Sequence, residues 1–205
     1  MMSPRLKLIL LVQLIVLTLP ACQLETFTPA CIPKQDTVYT AGVGVHNFEP
    51  KDCLALITAD HMDFQAKFDS NVLYKESELA VSGNQVNKLY GFSDCSEDHM
   101  VDSARVGWIV VNGELLIVPF VHVQHQEIFD IKNPLATIKP GQWYTYHIQI
   151  RGDKYEFSID TDQGTFKQTT SRGCSGGSFI RYRLSPYFGG QSTTPHPMSL
   201  EVKLL

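Results

Sequence analysis

The chain is short of positive charge. It carries 17 Lys and Arg against 21 Asp and Glu, a formal net charge of −4, and no basic run occurs anywhere. Such a surface has little with which to neutralise phosphates, so no nucleic-acid partner is expected. Metal-site spacing is missing too. There is no CxxC and no HExxH, and the seven His show no two-apart pair on a strand. Neither a metal site nor a cofactor is expected. The Glu-x-Asp-x-x-Glu strand of paired carboxylates that a glucanase of the sandwich type needs is absent; Glu76 and Glu78 sit beside a turn and lack the middle Asp. No helical period, internal repeat or low-complexity tract stands out. After the first apolar run, no second one is long enough to cross a bilayer.

What is present begins with Arg5 and Lys7, an apolar run from Leu8 to Leu19, and then Pro20-Ala21-Cys22. The run of about a dozen residues is short for a membrane span and right for a signal-peptide core. Leu19-Pro20-Ala21-Cys22 resembles the lipobox of bacterial lipoproteins, with Pro at its second position as a departure. That resemblance implies cleavage after Ala21 and lipidation of Cys22. The expected organisation is a signal peptide over 1–21, a lipid-anchored tether over 22–50 and a β-sandwich domain over 51–205. The protein is then exported and held at the outer membrane or cell surface by its lipid alone. Loss of the leader removes Arg5 and Lys7 and takes the formal charge from −4 to −6. With Cys22 lipidated, Cys31, Cys53, Cys95 and Cys174 remain. Four Cys in an exported chain suggest two disulfides, with three possible connectivities. The preferred one joins Cys95, which ends one strand, to Cys174, which precedes another, and pairs Cys31 with Cys53.

From His61 onward the pattern is that of strands. Asp63 to Phe68 alternates and is expected to continue through Val72 and Tyr74. Val86 to Phe92 follows, after a turn at Ser82-Gly83-Asn84. Gln142 to Ile150 alternates strictly, with Tyr144, Tyr146, Ile148 and Ile150 inward and Trp143, Thr145, His147 and Gln149 outward. Arg151-Gly152-Asp153 reads as ordinary hairpin chemistry rather than a recognition tripeptide, and Asp160, Asp162 and Gly164 as a turn rather than a calcium loop. Ile180 to Phe188 and Ser199 to Leu204 complete about ten short strands. The fold class is all-β, an antiparallel two-sheet sandwich of jelly-roll type.

The strongest local signal is Asn112-Gly113 between two apolar runs, a two-residue hairpin turn. It fixes the register. Val111 lies opposite Glu114, Trp108 opposite Ile117, Val110 opposite Leu115 and Ala104 opposite Val121. The other face carries Ser103, Arg105, Ile109, Leu116, Phe120 and His122, with Gln124 beyond them. An unpaired Arg in a sandwich core would cost several kcal/mol, so this mixed face meets water, a carboxylate or a ligand.

Asn87-Lys88-Leu89-Tyr90-Gly91-Phe92-Ser93-Asp94, then His99, Ser103-Ala104-Arg105-Val106-Gly107-Trp108, Tyr182-Arg183-Leu184-Ser185-Pro186-Tyr187-Phe188-Gly189-Gly190-Gln191 and Thr194-Pro195-His196 resemble a largely uncharacterised family of Bacteroidetes-type surface lipoproteins. The resemblance covers nearly all of the mature domain. It implies a sandwich organised like concanavalin-A-like lectins and glucanases, and an exported location. The candidate ligand-binding residues are Arg105, Phe120, His122 and Gln124 on the hairpin face, joined by Arg181, Arg183 and Tyr187 from the late strand. Aromatic faces stack on sugar rings, and Arg, Gln and His read hydroxyls and carboxylates. The expected partner is a glycan. The competing reading is a polysaccharide lyase acting on a uronate, with Arg105 and Gln124 neutralising the carboxylate and His122 and Tyr187 as base and acid. A third is an adhesive surface protein with no small ligand.

Overall fold

The computed structural model describes residues 36–81, 85–176 and 179–205. Residues 1–35, with the leader, Cys22 and Cys31, lie outside the described residues, as does the whole expected turn Ser82-Gly83-Asn84. Thirteen strands run in chain order: β1 Asp36–Ala41, β2 Leu56–Ile57, β3 His61–Phe68, β4 Asn87–Ser93, β5 Ser103–Val111, β6 Glu114–Val123, β7 Gln126–Ile128, β8 Ala136–Ile138, β9 Trp143–Arg151, β10 Lys154–Thr161, β11 Gly164–Ser171, β12 Arg181–Leu184 and β13 Met198–Leu204. They form two antiparallel sheets. One has the order β1-β13-β3-β9-β10-β11, and the other β2-β12-β4-β5-β6-β7 with β8 also on β6. The extra strands beyond ten are short: β2, β7 and β8 are two or three residues each, below what alternation can reveal.

The hairpin register is as the turn implies. Arg105 pairs with Phe120, Ser103 with His122, Trp108 with Ile117 and Ala104 with Val121. Asn112 and Gly113 sit at φ 53° and 81°, the left-handed pair that a type I′ turn needs. Trp108, fully buried, meets Phe68 and Phe188 edge-on at centroid distances of 5.3 and 6.0 Å. Strand β9 alternates as expected, its Tyr144, Tyr146 and Ile148 inward and its Trp143, Thr145 and His147 half-buried on the outer face.

Three expectations differ. The chain after Phe68 does not continue as a strand: Ser70–Val72 is a 3-10 turn. Asp69, Ser70 and Asn71 are turn formers, and Asn71 and Asp69 hold it by bonding Ser199. The strand starting at Ile180 stops at Leu184, because Pro186 has no N–H for a ladder. Beyond it the alternation changes phase. Arg181 and Arg183 turn to the inter-sheet side, where Arg183 pairs with core Phe92, while Tyr187 returns to the outer face through a bridge to Lys88. The third is β4, all seven residues of which are buried. A bulge between Lys88 and Gly91 lets Leu89 and Tyr90 both enter the core.

The Cys95–Cys174 disulfide is present, spanning 79 residues of sequence. Cys53 is disulfide-bonded as well; Cys31, its expected partner, is outside the described residues. Next to Cys95, the fully buried Asp94 accepts bonds from Arg172 (Nε 2.6 Å, Nη2 3.2 Å), Arg181 Nε (2.8 Å) and Tyr155 OH (2.8 Å). Burial alone would raise this carboxyl. The hydrogen bonds from Arg172, the Cys95 N–H, Arg181 and Tyr155 outweigh it and hold Asp94 below the usual carboxylate range.

Candidate ligand-binding site

In an antiparallel sandwich the outer face of a sheet is ordinarily solvated. Here β5 and β6 are buried on both faces along nearly their whole length. Two covers account for it. Phe129 and Ile131 pack on Val118 and Phe120, where the far edge of β6 is interrupted. That edge pairs with β8 at 115–117 and with β7 at 121–123, and Pro119 between them has no N–H to offer. The second cover is the chain after β12. Tyr187 exchanges both backbone bonds with Lys88, at 2.8 and 2.9 Å. Gly189 N–H donates to Asn87 Oδ1 at 2.5 Å. Gly189 has φ 65°, and a Cβ there would stand 2.2 Å from Ser192 O, so only glycine closes this loop over the sheet.

Between the loop and the sheet lies a cavity of about 250 Å3. It is lined by Lys88, His99, Met100, Ser103, Arg105, His122, Glu127, Tyr187, Gly189 and Gly190. Arg105, His122 and Tyr187, assigned from the sequence to one ligand, thus share one cavity. Phe120 lies under it, fully buried, with Lys88 Nζ 4.5 Å above its ring. Gln124 is not a lining residue. It sits exposed at φ 49° where β6 turns into β7. Arg181 and Arg183 are on the opposite side of the sheet, engaged with Asp94 and, at 3.6 Å, Asp52.

Arg105 lies across the sheet because Gly91, its cross-strand partner, has no side chain. A Cβ on Gly91 would meet Arg105 Cγ at 2.8 Å and Ala104 O at 2.0 Å. The guanidinium Nη2 donates to Ser185 O, while Nε is buried without a partner. Lys88 Nζ donates to Gly189 O at 3.1 Å. Among the described residues, no carboxylate is within ion-pair distance of either cation. Burial pulls the Lys88 ammonium down to about 8, opposed by the half-exposed Glu127 and reinforced by the Arg105 charge. It also pulls the Arg105 guanidinium down, which nonetheless stays charged at neutral pH.

His122 is lowered by burial, with Glu127 opposing, and is therefore neutral at pH 7. Its Nδ1 is 3.2 Å from Ser103 Oγ, which itself donates to His99 O at 2.7 Å. Since the Ser103 proton goes to His99, Nδ1 carries the proton on the imidazole. Nε2 is buried, without a hydrogen bond, and faces Glu127 Oε1 at 3.5 Å. Tyr187 stacks on His46 at 5.1 Å with the rings nearly parallel, which fixes its plane beside the cavity.

Lys88 is the principal residue that sequence reasoning missed. It stands in the Asn87 motif, yet the bulge at Lys88/Gly91 sets its side by a phase shift that alternation does not disclose. A wider depression of about 500 Å3 lies on the outer face of the other sheet. Its groups satisfy one another: His147 is 2.9 Å from Asp63 and 3.2 Å from Asp160, and Lys167 is 3.7 Å from Glu156. Arg151, also on its wall, is exposed to water, so no buried cation there lacks compensation as Lys88 and Arg105 do.

No protein-family model matches the chain, and no curated protein matches it. Among solved structures, it is similar to the alginate lyase from Klebsiella pneumoniae, with a TM-score of 0.49 and 11% identity, over 71% of this chain and 58% of that one. It therefore spans less than two thirds of that lyase. It is similar to a native glycosidic hydrolase with a TM-score of 0.46 and 12% identity, over 85% of this chain and 79% of that one. A carbohydrate-binding module from Bacillus subtilis is similar with a TM-score of 0.37 and 7% identity, over 82% of this chain and 94% of that one. None of these reaches a TM-score of 0.5, and what the cavity holds is judged on its own residues.

Proposed function

We propose that this β-sandwich protein is exported, lipid-anchored through Cys22, and binds an acidic glycan at the cell surface in the cavity over β4, β5 and β6. One observation carries the binding reading: Lys88 and Arg105 are both buried and, among the described residues, neither has an anionic partner within ion-pair distance. An uncompensated buried charge costs several kcal/mol, and a carboxylate between the two cations offsets that cost with charge-assisted bonds. The Tyr187 ring at the wall suits a sugar as the bearer of the carboxylate. A cavity of about 250 Å3 is below the ~300–1,000 Å3 of sites for drug-sized ligands. It suits one ring, a terminal or single uronate unit, rather than a length of polymer.

A lyase would use Arg105, His122 and Tyr187, and their sharing of one cavity favours it as the second reading, while Gln124, its fourth group, stands outside. Binding comes first because His122 Nε2, the nitrogen free to act as a base, is buried away from solvent. Titration calorimetry with a uronic acid and its neutral parent sugar separates the readings. Binding of the uronate at least about tenfold tighter than the neutral sugar, lost in Lys88→Met, is the expected result; equal affinities would refute it. A rise in ultraviolet absorbance from unsaturated uronate ends would turn the choice to the lyase. For the anchor, a palmitate analogue should label the wild type and not Cys22→Ala. Equal labelling of both excludes lipidation at that residue.

A further inference from the structure

The loop that closes the cavity has an unusual arrangement of donors. The backbone N–H groups of Gly190, Gln191 and Ser192 all point at one atom, Gln85 Oε1, at 3.2, 2.7 and 2.7 Å. Three consecutive backbone donors around one point form a nest, a concavity that ordinarily holds an anion. Here it holds a neutral amide oxygen. The other end of that amide is only weakly held, Nε2 lying 3.4 Å from Val81 O. The nest adjoins the cavity at Gly190, which both supplies a donor and lines the wall. Lys88 and Arg105, whose buried Nε has no hydrogen-bond partner among the described residues, line the same cavity.

We infer that the nest is a second anion subsite of the cavity, occupied by Gln85 in the free protein, and that the ligand carries two acidic groups on adjacent sugar units. This inference rests on the reading of Lys88 and Arg105 as the seat of the first carboxylate. A carboxylate oxygen in the nest makes charge-assisted hydrogen bonds, about twice as strong as those of the amide it displaces. Exchange is thus favourable once the first unit is seated. The nest does not depend on Gln85 for its shape. Ser192 Oγ accepts from Val81 N–H at 3.0 Å and donates to Val81 O at 3.1 Å, and Asn87 holds Gly189. Removing the plug therefore leaves the donors in place.

The experiment is calorimetric titration of the wild type, Gln85→Ala and Gln85→Glu with a single uronic acid and with a diuronate. The wild type should bind the diuronate roughly tenfold or more tightly than the single acid. Gln85→Ala should bind the diuronate several-fold more tightly still, because nothing has to leave the nest. Gln85→Glu places a tethered carboxylate there and should bring diuronate affinity down to that of the single acid. Single-acid binding with no change in diuronate affinity between wild type and Gln85→Ala, or a loss in that variant, overturns the nest while leaving the cation pair standing. Absence of single-acid binding in the wild type overturns the reading of the cation pair, and this inference with it.

Discussion

Replacing Asp94 by Asn tests the ionic cluster at the end of the sandwich. The substitution keeps the shape of the side chain and removes one charge. Arg172 and Arg181 then lie with side chains 2% and 7% exposed and no carboxylate between them, and Tyr155 loses a charged acceptor. Breaking a buried pair from one side costs about 3–5 kcal/mol. At about 2–4 °C per kcal/mol for a domain of this size, the melting temperature should fall by roughly 6–20 °C. The exposed Asp160→Asn, which touches half-exposed His147, is the control and should change stability by no more than about 1 kcal/mol. Acid dependence gives a second handle. The folded Asp94 carboxyl is held below its unfolded value, so its contribution is present above about pH 3.9 and is lost as pH falls through the lower, folded value. The wild type should lose stability over that acid range, and Asp94→Asn should lose less. Denaturant melts at several pH values read both quantities. A cost below about 1 kcal/mol, or an unaltered acid slope, refutes the account of the cluster.

Two further outcomes follow from the cavity. Lys88 is pulled down to about 8 by burial, and an anion prefers its protonated form, so uronate affinity should decline as pH rises through about 8; a flat titration up to pH 9.5 would remove Lys88 from the site. Gly91→Ala places a Cβ 2.0 Å from Ala104 O and 2.8 Å from Arg105 Cγ, so it should cost about 1–3 kcal/mol in denaturant melts and weaken uronate binding together with stability; wild-type values for both would show that Arg105 is not placed by that glycine.

The hairpin was legible in the sequence because Asn112 and Gly113 are two residues that both accept positive φ. Once the turn has two residues, every pairing from Val111 and Glu114 to Ser103 and His122 follows. Strand β9 was legible for a similar reason, its period of two running unbroken from Trp143 to Gln149. The Cys95–Cys174 bridge came from their places at the ends of neighbouring strands. What alternation could not carry was a change of phase. The bulge after Lys88 moved that residue to the cavity, and the break at Pro186 separated Tyr187 from Arg181 and Arg183. Both come from backbone geometry set by partners distant in sequence: Tyr187 pairs with Lys88 and Phe188 with His46, contacts that no local window contains.

The same domain handles buried cations in two ways, and the proposed site rests on the contrast. Arg181 is 6% exposed and Arg105 is 7% exposed, so both are equally removed from water. Arg181 shares Asp94 with Arg172, in a cluster tied by an adjacent disulfide, and that arrangement is complete without a ligand. Arg105 sits with a second buried cation, Lys88, whose charge it opposes, and the nearest compensation is a carbonyl oxygen for each. Two like charges held together in low dielectric destabilise the free protein. The loop from Tyr187 to Ser192 and the glycines at 91 and 189 hold them there regardless. A costly arrangement kept by the structure around it, where a satisfied alternative exists in the same fold, is the ground on which Lys88 and Arg105 are proposed as ligand-binding rather than stabilising residues.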